Sequence, residues 1–159
     1  MVSQKKVIFL ERPFEECPKY NGLSPEKLLM DLDLVEDSLV RIHPRSGRNY
    51  NEVLVDYGDN MWELECLSNI TNEHILVGDC SNAQFSPKIL ANKEPYLIFA
   101  YRLFYSYHDL EDPNNYEKQI DRIRKAYSRK DKILIPKNVE ELRNALTWIL
   151  TKGSDEIID

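Results

Sequence analysis

The clearest periodic pattern in the chain lies between Pro113 and Lys132. Tyr116, Ile120, Ile123 and Tyr127 recur at i, i+4, i+7 and i+11, one apolar stripe of a helix. Lys118, Arg122, Lys125 and Arg129 repeat that spacing on the opposite side. One face is expected to dock on a core while the other presents a row of cations. Asn114, with Glu117 three residues on, has the capping-box spacing that starts such a helix.

Two further helices carry start signals. Ser24-Pro25-Glu26 offers a capping serine, a proline at the first helical position and an early acid. It predicts a helix over 25–36 that buries Leu28, Leu29, Leu32 and Val35. Asn138 and Glu141 repeat the capping-box spacing and predict a last helix to Lys152, stopped by Gly153. From Glu94-Pro95 to about Asp109 the chain is apolar nearly all round. This predicts a buried helix, although a long aromatic strand has the same composition.

Elsewhere the period is two. Lys6–Glu11, Leu39–His43 and Ile75–Asp79 read as strands. Val53–Tyr57 and Trp62–Leu67, joined through Gly58-Asp59-Asn60, read as a hairpin. Ile133-Leu134-Ile135, ended by Pro136, suits a strand buried on both sides. The expected fold class is α+β. An antiparallel β-meander of about four strands packs with about four helices, with one additional buried strand near 133–135. Residues 1–153 are expected to form a single globular domain, with 154–159 a frayed acidic tail.

Charge changes the picture more than composition does. The 159 residues carry a net charge of −6, which argues against a generic nucleic-acid coat. Yet residues 118–137 hold eight Lys or Arg against two Asp or Glu. An acidic body with one basic segment is a polarised surface, suited to a polyanion or an acidic partner. The bland alternative is a solvated helix face with pairs such as Asp121–Lys125. Three widely spaced cysteines, Cys17, Cys66 and Cys80, fit a reducing, cytoplasmic setting. Histidines scattered at 43, 74 and 108 do not suit a structural zinc site. No run approaches the ~20 apolar residues of a membrane span.

Candidate chemistry gathers on the expected hairpin. Either turn register sets two acids across from each other, Asp56 opposite Glu63 or Glu52 opposite Glu65. Such a pair needs a cation, from Arg41, a divalent metal or the basic helix. The helix–meander–helix–strand order, with Asp56 and the run Glu63-Leu64-Glu65, resembles the core of restriction-endonuclease-like nucleases. The resemblance implies Mg²⁺ held by Asp56, Glu63 and Glu65 to activate water. The lysine expected two residues after the glutamate is absent; Leu67 follows Glu65. The Arg102-x5-His108 spacing resembles the ribonuclease motif of HEPN domains, with Leu103 where a polar residue is usual. In Arg45-Ser46-Gly47-Arg48, two arginines could grip a phosphate. Trp148 lies off the apolar stripe of the last helix and is a candidate partner anchor.

The leading functional expectation is a cytosolic accessory protein without enzymatic activity or cofactor. It would engage nucleic-acid phosphates through Lys118, Arg122, Lys125 and Arg129, with Arg45 and Arg48 adding contacts. The alternatives are an adaptor that uses Trp148 and the basic row against an acidic protein, and the Mg²⁺-dependent nuclease.

Overall fold

The structure, a computed structural model, describes residues 1–106 and 115–155. Six strands form one sheet: β1 Val7–Leu10, β2 Ser38–Arg41, β3 Leu54–Asp56, β4 Ile75–Gly78, β5 Tyr96–Phe99 and β6 Ile133–Leu134. Every pairing is parallel and the order is β3-β2-β1-β4-β5-β6. The helices are α1 Pro25–Asp31, α2 Trp62–Ser68, α3 Asn82–Ala91, the one-turn α4 Tyr101–Phe104, α5 Tyr116–Ala126 and α6 Val139–Asp155. This is a doubly wound α/β sheet, not the expected antiparallel meander. The central strands show why. Val7–Leu10, Ile75–Gly78 and Tyr96–Phe99 are buried at every position, as a sheet covered on both faces requires. Right-handed crossovers put α1 and α6 on one face and α2, α3 and α5 on the other.

Two corrections follow at the level of elements. The Val53–Tyr57/Trp62–Leu67 hairpin does not form: Leu54–Asp56 pairs in parallel with β2, and Trp62–Ser68 is helical. The alternation Trp-Glu-Leu-Glu-Cys-Leu also contains a helical stripe, Trp62, Glu65 and Cys66, and that is the set that is buried. Glu65 disguises the stripe as polar. Its carboxylate is satisfied by Asn60 Nδ2 at 3.2 Å and Asn69 Nδ2 at 2.6 Å. The segment expected as one buried helix over 94–109 is instead the four-residue strand β5 followed by the single turn α4, neither the long helix nor the long strand. The HEPN-like spacing depends on His108, which lies outside the described residues, as do Asn114 and residues 156–159.

The remaining helices form in the expected places with different ends: α1 stops at Asp31 rather than reaching 36, and α6 runs through Gly153 to Asp155 rather than stopping there. Ser24 caps α1 by accepting the Lys27 amide at 3.4 Å. In α5, Tyr116, Ile120 and Ile123 are buried, as is Tyr127 just past its end. The αL residue Asn115 precedes that helix.

One glycine is fixed by close approach. A Cβ on Gly78, at the end of β4, would meet Gln84 Oε1 at 2.8 Å. Gln84 reaches from α3 into the sheet and donates to the carbonyl oxygens of Leu76 at 3.3 Å and Ile98 at 2.9 Å. This seats the start of α3 tightly on β4 and β5. Among the described residues, no helix is long and apolar enough to cross a membrane.

Candidate functional site at the carboxyl edge of the sheet

In a doubly wound sheet, loops leaving adjacent strands part to opposite faces where the strand order reverses, which opens a crevice at the carboxyl edge. Here the reversal lies between β1 and β4. Glu11 and Arg12 leave β1, while Asp79, Cys80 and Ser81 leave β4. A cleft of about 490 Å³ opens beside it at the ends of β1, β2 and β3. Glu11, His43, Tyr57, Met61, Trp62 and Ala83 are among its walls. The Trp62 indole N–H donates to Ala83 O at 2.8 Å, pinning the start of α2 to the first turn of α3.

Glu11 is 4% exposed, and its carboxylate organises the floor. It accepts the His43 amide at 3.2 Å and the Tyr50 hydroxyl, with Arg48 Nε at 4.0 Å. Burial, and then the bond to Glu11, keep the Tyr50 phenol protonated far above its ordinary range. Arg48 also binds Glu15 and donates to Tyr20 OH at 3.1 Å.

His43 is the histidine of the cleft wall. Its Nδ1 accepts the Arg45 amide at 3.1 Å, which leaves the proton of the neutral ring on Nε2. Burial lowers its pKa, helped by Arg45 and Arg12 and opposed by Glu11 and Glu16. Near neutral pH it is therefore an uncharged N–H donor.

Beyond His43 the edge continues into a smaller pocket of about 250 Å³, lined by Arg12, Cys17, Arg45, Tyr105 and Tyr116 among others. Asp79 is fully buried behind it. It accepts Tyr105 OH at 2.6 Å and the Cys80 amide at 2.8 Å, with Arg12 Nε at 3.8 Å. The loop after β1 is folded across this region by Phe14, stacked on Phe104 with centroids 4.6 Å apart, and by the Tyr20–Tyr105 bridge.

The helix starts at this edge differ in their fitness for an anion. The first turn of α2 carries Glu63 and Glu65, which repel one. That of α3 carries no acid. Ser81 and Gln84 hold the reciprocal capping arrangement there, with the Ser81 amide donating to Gln84 Oε1 at 3.2 Å. The Ser81 hydroxyl is buried and faces the Gln84 backbone in that arrangement without completing a hydrogen bond.

The residues singled out from sequence fall in several places. Asp56 ends β3 and pairs with Arg41 at 2.9 Å, so it faces a cation rather than Glu63. Glu63 sits on α2 at the cleft and Glu65 is buried on the same helix. The hairpin on which the nuclease resemblance rested is therefore gone. No group of three or more His, Cys, Asp or Glu among the described residues could hold a metal. Arg45 is exposed, pairs with Glu16 at 3.2 Å and lines the smaller pocket. Arg48 is turned inward onto Glu11 and Glu15. Lys118, Arg122 and Lys125 are exposed along α5, whereas Arg129 lies past its end and pairs with Asp131 at 2.8 Å. Trp148 is partly exposed, its ring covered by Lys152 Nζ at 4.6 Å from the centroid. Sequence reasoning did not single out Ser81, Asp79, Glu11 or Arg12. The available signal was Ser81-Asn82-Ala83-Gln84, a capping-box spacing directly after the strand at 75–78.

Compared with protein-family models, curated proteins and solved structures, the chain matches none of them.

Proposed function

We propose that this domain binds a small phosphate-bearing molecule of the nucleotide class at the carboxyl edge of its sheet. The observation that carries the reading is the position of the cleft, beside the point where the strand order reverses. Its walls combine the two chemistries a nucleotide needs. Tyr57, Met61 and Trp62 offer a flat apolar surface for a ring. His43 Nε2–H and the first amides of α3 offer donors for a phosphate, and Arg45 lines the adjoining smaller pocket. A dinucleotide bound through the β1 turn is disfavoured. Glu11-Arg12-Pro13-Phe14 contains no glycine, and α1 begins only at Pro25, so no glycine-rich turn brings backbone amides to a pyrophosphate.

The test uses Trp62 as reporter. A Trp148→Phe variant retains a single tryptophan, Trp62, in the cleft wall. Titration with nucleoside 5′-mono- and diphosphates should change its emission saturably. His43→Ala should weaken the effect about tenfold, equivalent to the loss of one hydrogen bond to a charged group. If no nucleotide in the panel shifts either the emission or the melting temperature at millimolar concentration, the reading fails.

A further inference from the structure

A second surface lies on the outer side of the helical layer, independent of the carboxyl-edge cleft. Between α3 and α5 runs a groove of about 460 Å³ with Phe85, Ile89, Ile123 and Ala126 among its walls and Arg122 on its rim. Phe85 and Ile123 form a buried floor, while Ile89 is 72% exposed and Leu90 beside it 47% exposed. A large apolar side chain, Ile89, left in water at the lip of an apolar groove suits a partner better than a solvated face.

The rim supplies the second half of the argument. Lys118 and Lys125 lie four residues before and three after Arg122, so all three share one face of α5. None pairs with a carboxylate among the described residues, although Arg124 on the same helix pairs with Asp121 at 2.7 Å. The groove walls are helices of 10 and 11 residues, about 15 Å long at 1.5 Å per residue. That accommodates about three turns of a docked helix.

We propose that this groove docks an acidic amphipathic helix of a partner protein. Apolar residues at i, i+3 or i+4, and i+7 would enter between Phe85, Ile89 and Ile123, and Asp or Glu on the flank would face Lys118, Arg122 and Lys125. Charge complementarity selects this occupant: the chain is acidic overall, and these cations form a positive strip that is unpaired among the described residues. Nucleic acid, the expectation from the cation row alone, would use the charges but has no need of the groove or of Ile89. Trp148 does not border the groove.

The test is selection of phage-displayed 14-residue peptides on the purified chain, followed by affinity measurement with the enriched sequences as labelled peptides. The expected peptides carry the apolar spacing together with Asp or Glu. Ile89→Asp and the double charge reversal Arg122→Glu/Lys125→Glu should each weaken them at least about tenfold. A peptide with its acids changed to lysine should prefer the charge-reversed protein. Ile89 is exposed, so Ile89→Asp is expected to fold, which circular dichroism verifies; the charge swap tests the proposal without it. Three results would overturn the inference. One is enrichment of sequences lacking the acidic pattern. The second is binding of a DNA or RNA oligonucleotide that depends on Arg122 and Lys125 but not on Ile89. The third is sedimentation of the chain alone as a dimer that Ile89→Asp dissociates.

Discussion

Replacing Asp56 by alanine tests the contact that holds one wall of the cleft. The Asp56 carboxylate accepts Arg41 Nη1 at 2.9 Å and the Gly58 amide at 3.0 Å. Arg41 in turn donates to Asn60 O at 2.6 Å, and its guanidinium lies 5.8 Å from the centroid of the Trp62 ring. The pair thus holds the β3–α2 loop that forms one wall of the cleft. Both side chains are about a tenth exposed, at 12% and 10%, so solvent screens them little. A hydrogen bond to a charged group contributes about 1.5–3 kcal/mol and a neutral one about 1. Removing one partner also strands the other charge. The expected destabilisation is about 3 kcal/mol, or a melting temperature lower by about 6–12 °C for a domain of this size. Asp56→Asn keeps an acceptor for Gly58 and should lose roughly half as much. The paired replacement Arg41→Met/Asp56→Leu should lose less than the sum of its single variants, because neither charge is left alone. Urea unfolding followed by circular dichroism measures all five variants against wild type. An Asp56→Ala variant within about 0.5 kcal/mol of wild type, or one no worse than Asp56→Asn, would show that the Arg41 pair does not hold the loop.

Two other expectations concern buried polar groups. Lys132 is 6% exposed, with Nζ donating to Asn72 O at 2.9 Å and Glu94 O at 2.8 Å beneath the Tyr96 ring. Lys132→Met leaves both carbonyl oxygens without that donor and should destabilise the protein by about 2 kcal/mol in the same unfolding assay. His74 is buried, accepts the Thr71 amide on Nδ1 at 3.0 Å and contacts Val2 O through Nε2 at 3.2 Å, a pattern that assigns the neutral ring. Burial lowers its pKa from 6.5, as it does for His43. The unfolded chain therefore takes up a proton before the folded one. The contribution of these rings to stability is complete above about pH 6.5 and is lost as pH falls toward their lowered folded values. Unfolding midpoints measured from pH 7.5 down to 5 should fall for wild type and fall less steeply for His74→Gln.

Local signals in the sequence determined more of the helices than of the sheet. The Tyr116–Tyr127 stripe, the Ser24 cap and the capping-box spacing at Asn138 each specify a helix from residues within a few positions of one another. Helical hydrogen bonds and i,i+4 contacts are local, and the structure follows them. Short apolar runs such as Ile75–Gly78 and Ile133–Leu134 were also legible as strands. Tertiary structure alone decided what those strands pair with. β1 bonds to β2 and β4, whose first residues are 31 and 68 positions away, and no local pattern records such partners. It also chose between the two periods carried by Trp62–Ser68. Burying Glu65 is tolerable only because Asn60 and Asn69 converge on it, and that satisfaction exists only once the helix is packed. The same holds for the candidate site. Glu11, His43, Asp79 and Ser81 are unremarkable in sequence. They share one edge because parallel strands end together there, and the cleft opens beside the point where the strand order reverses.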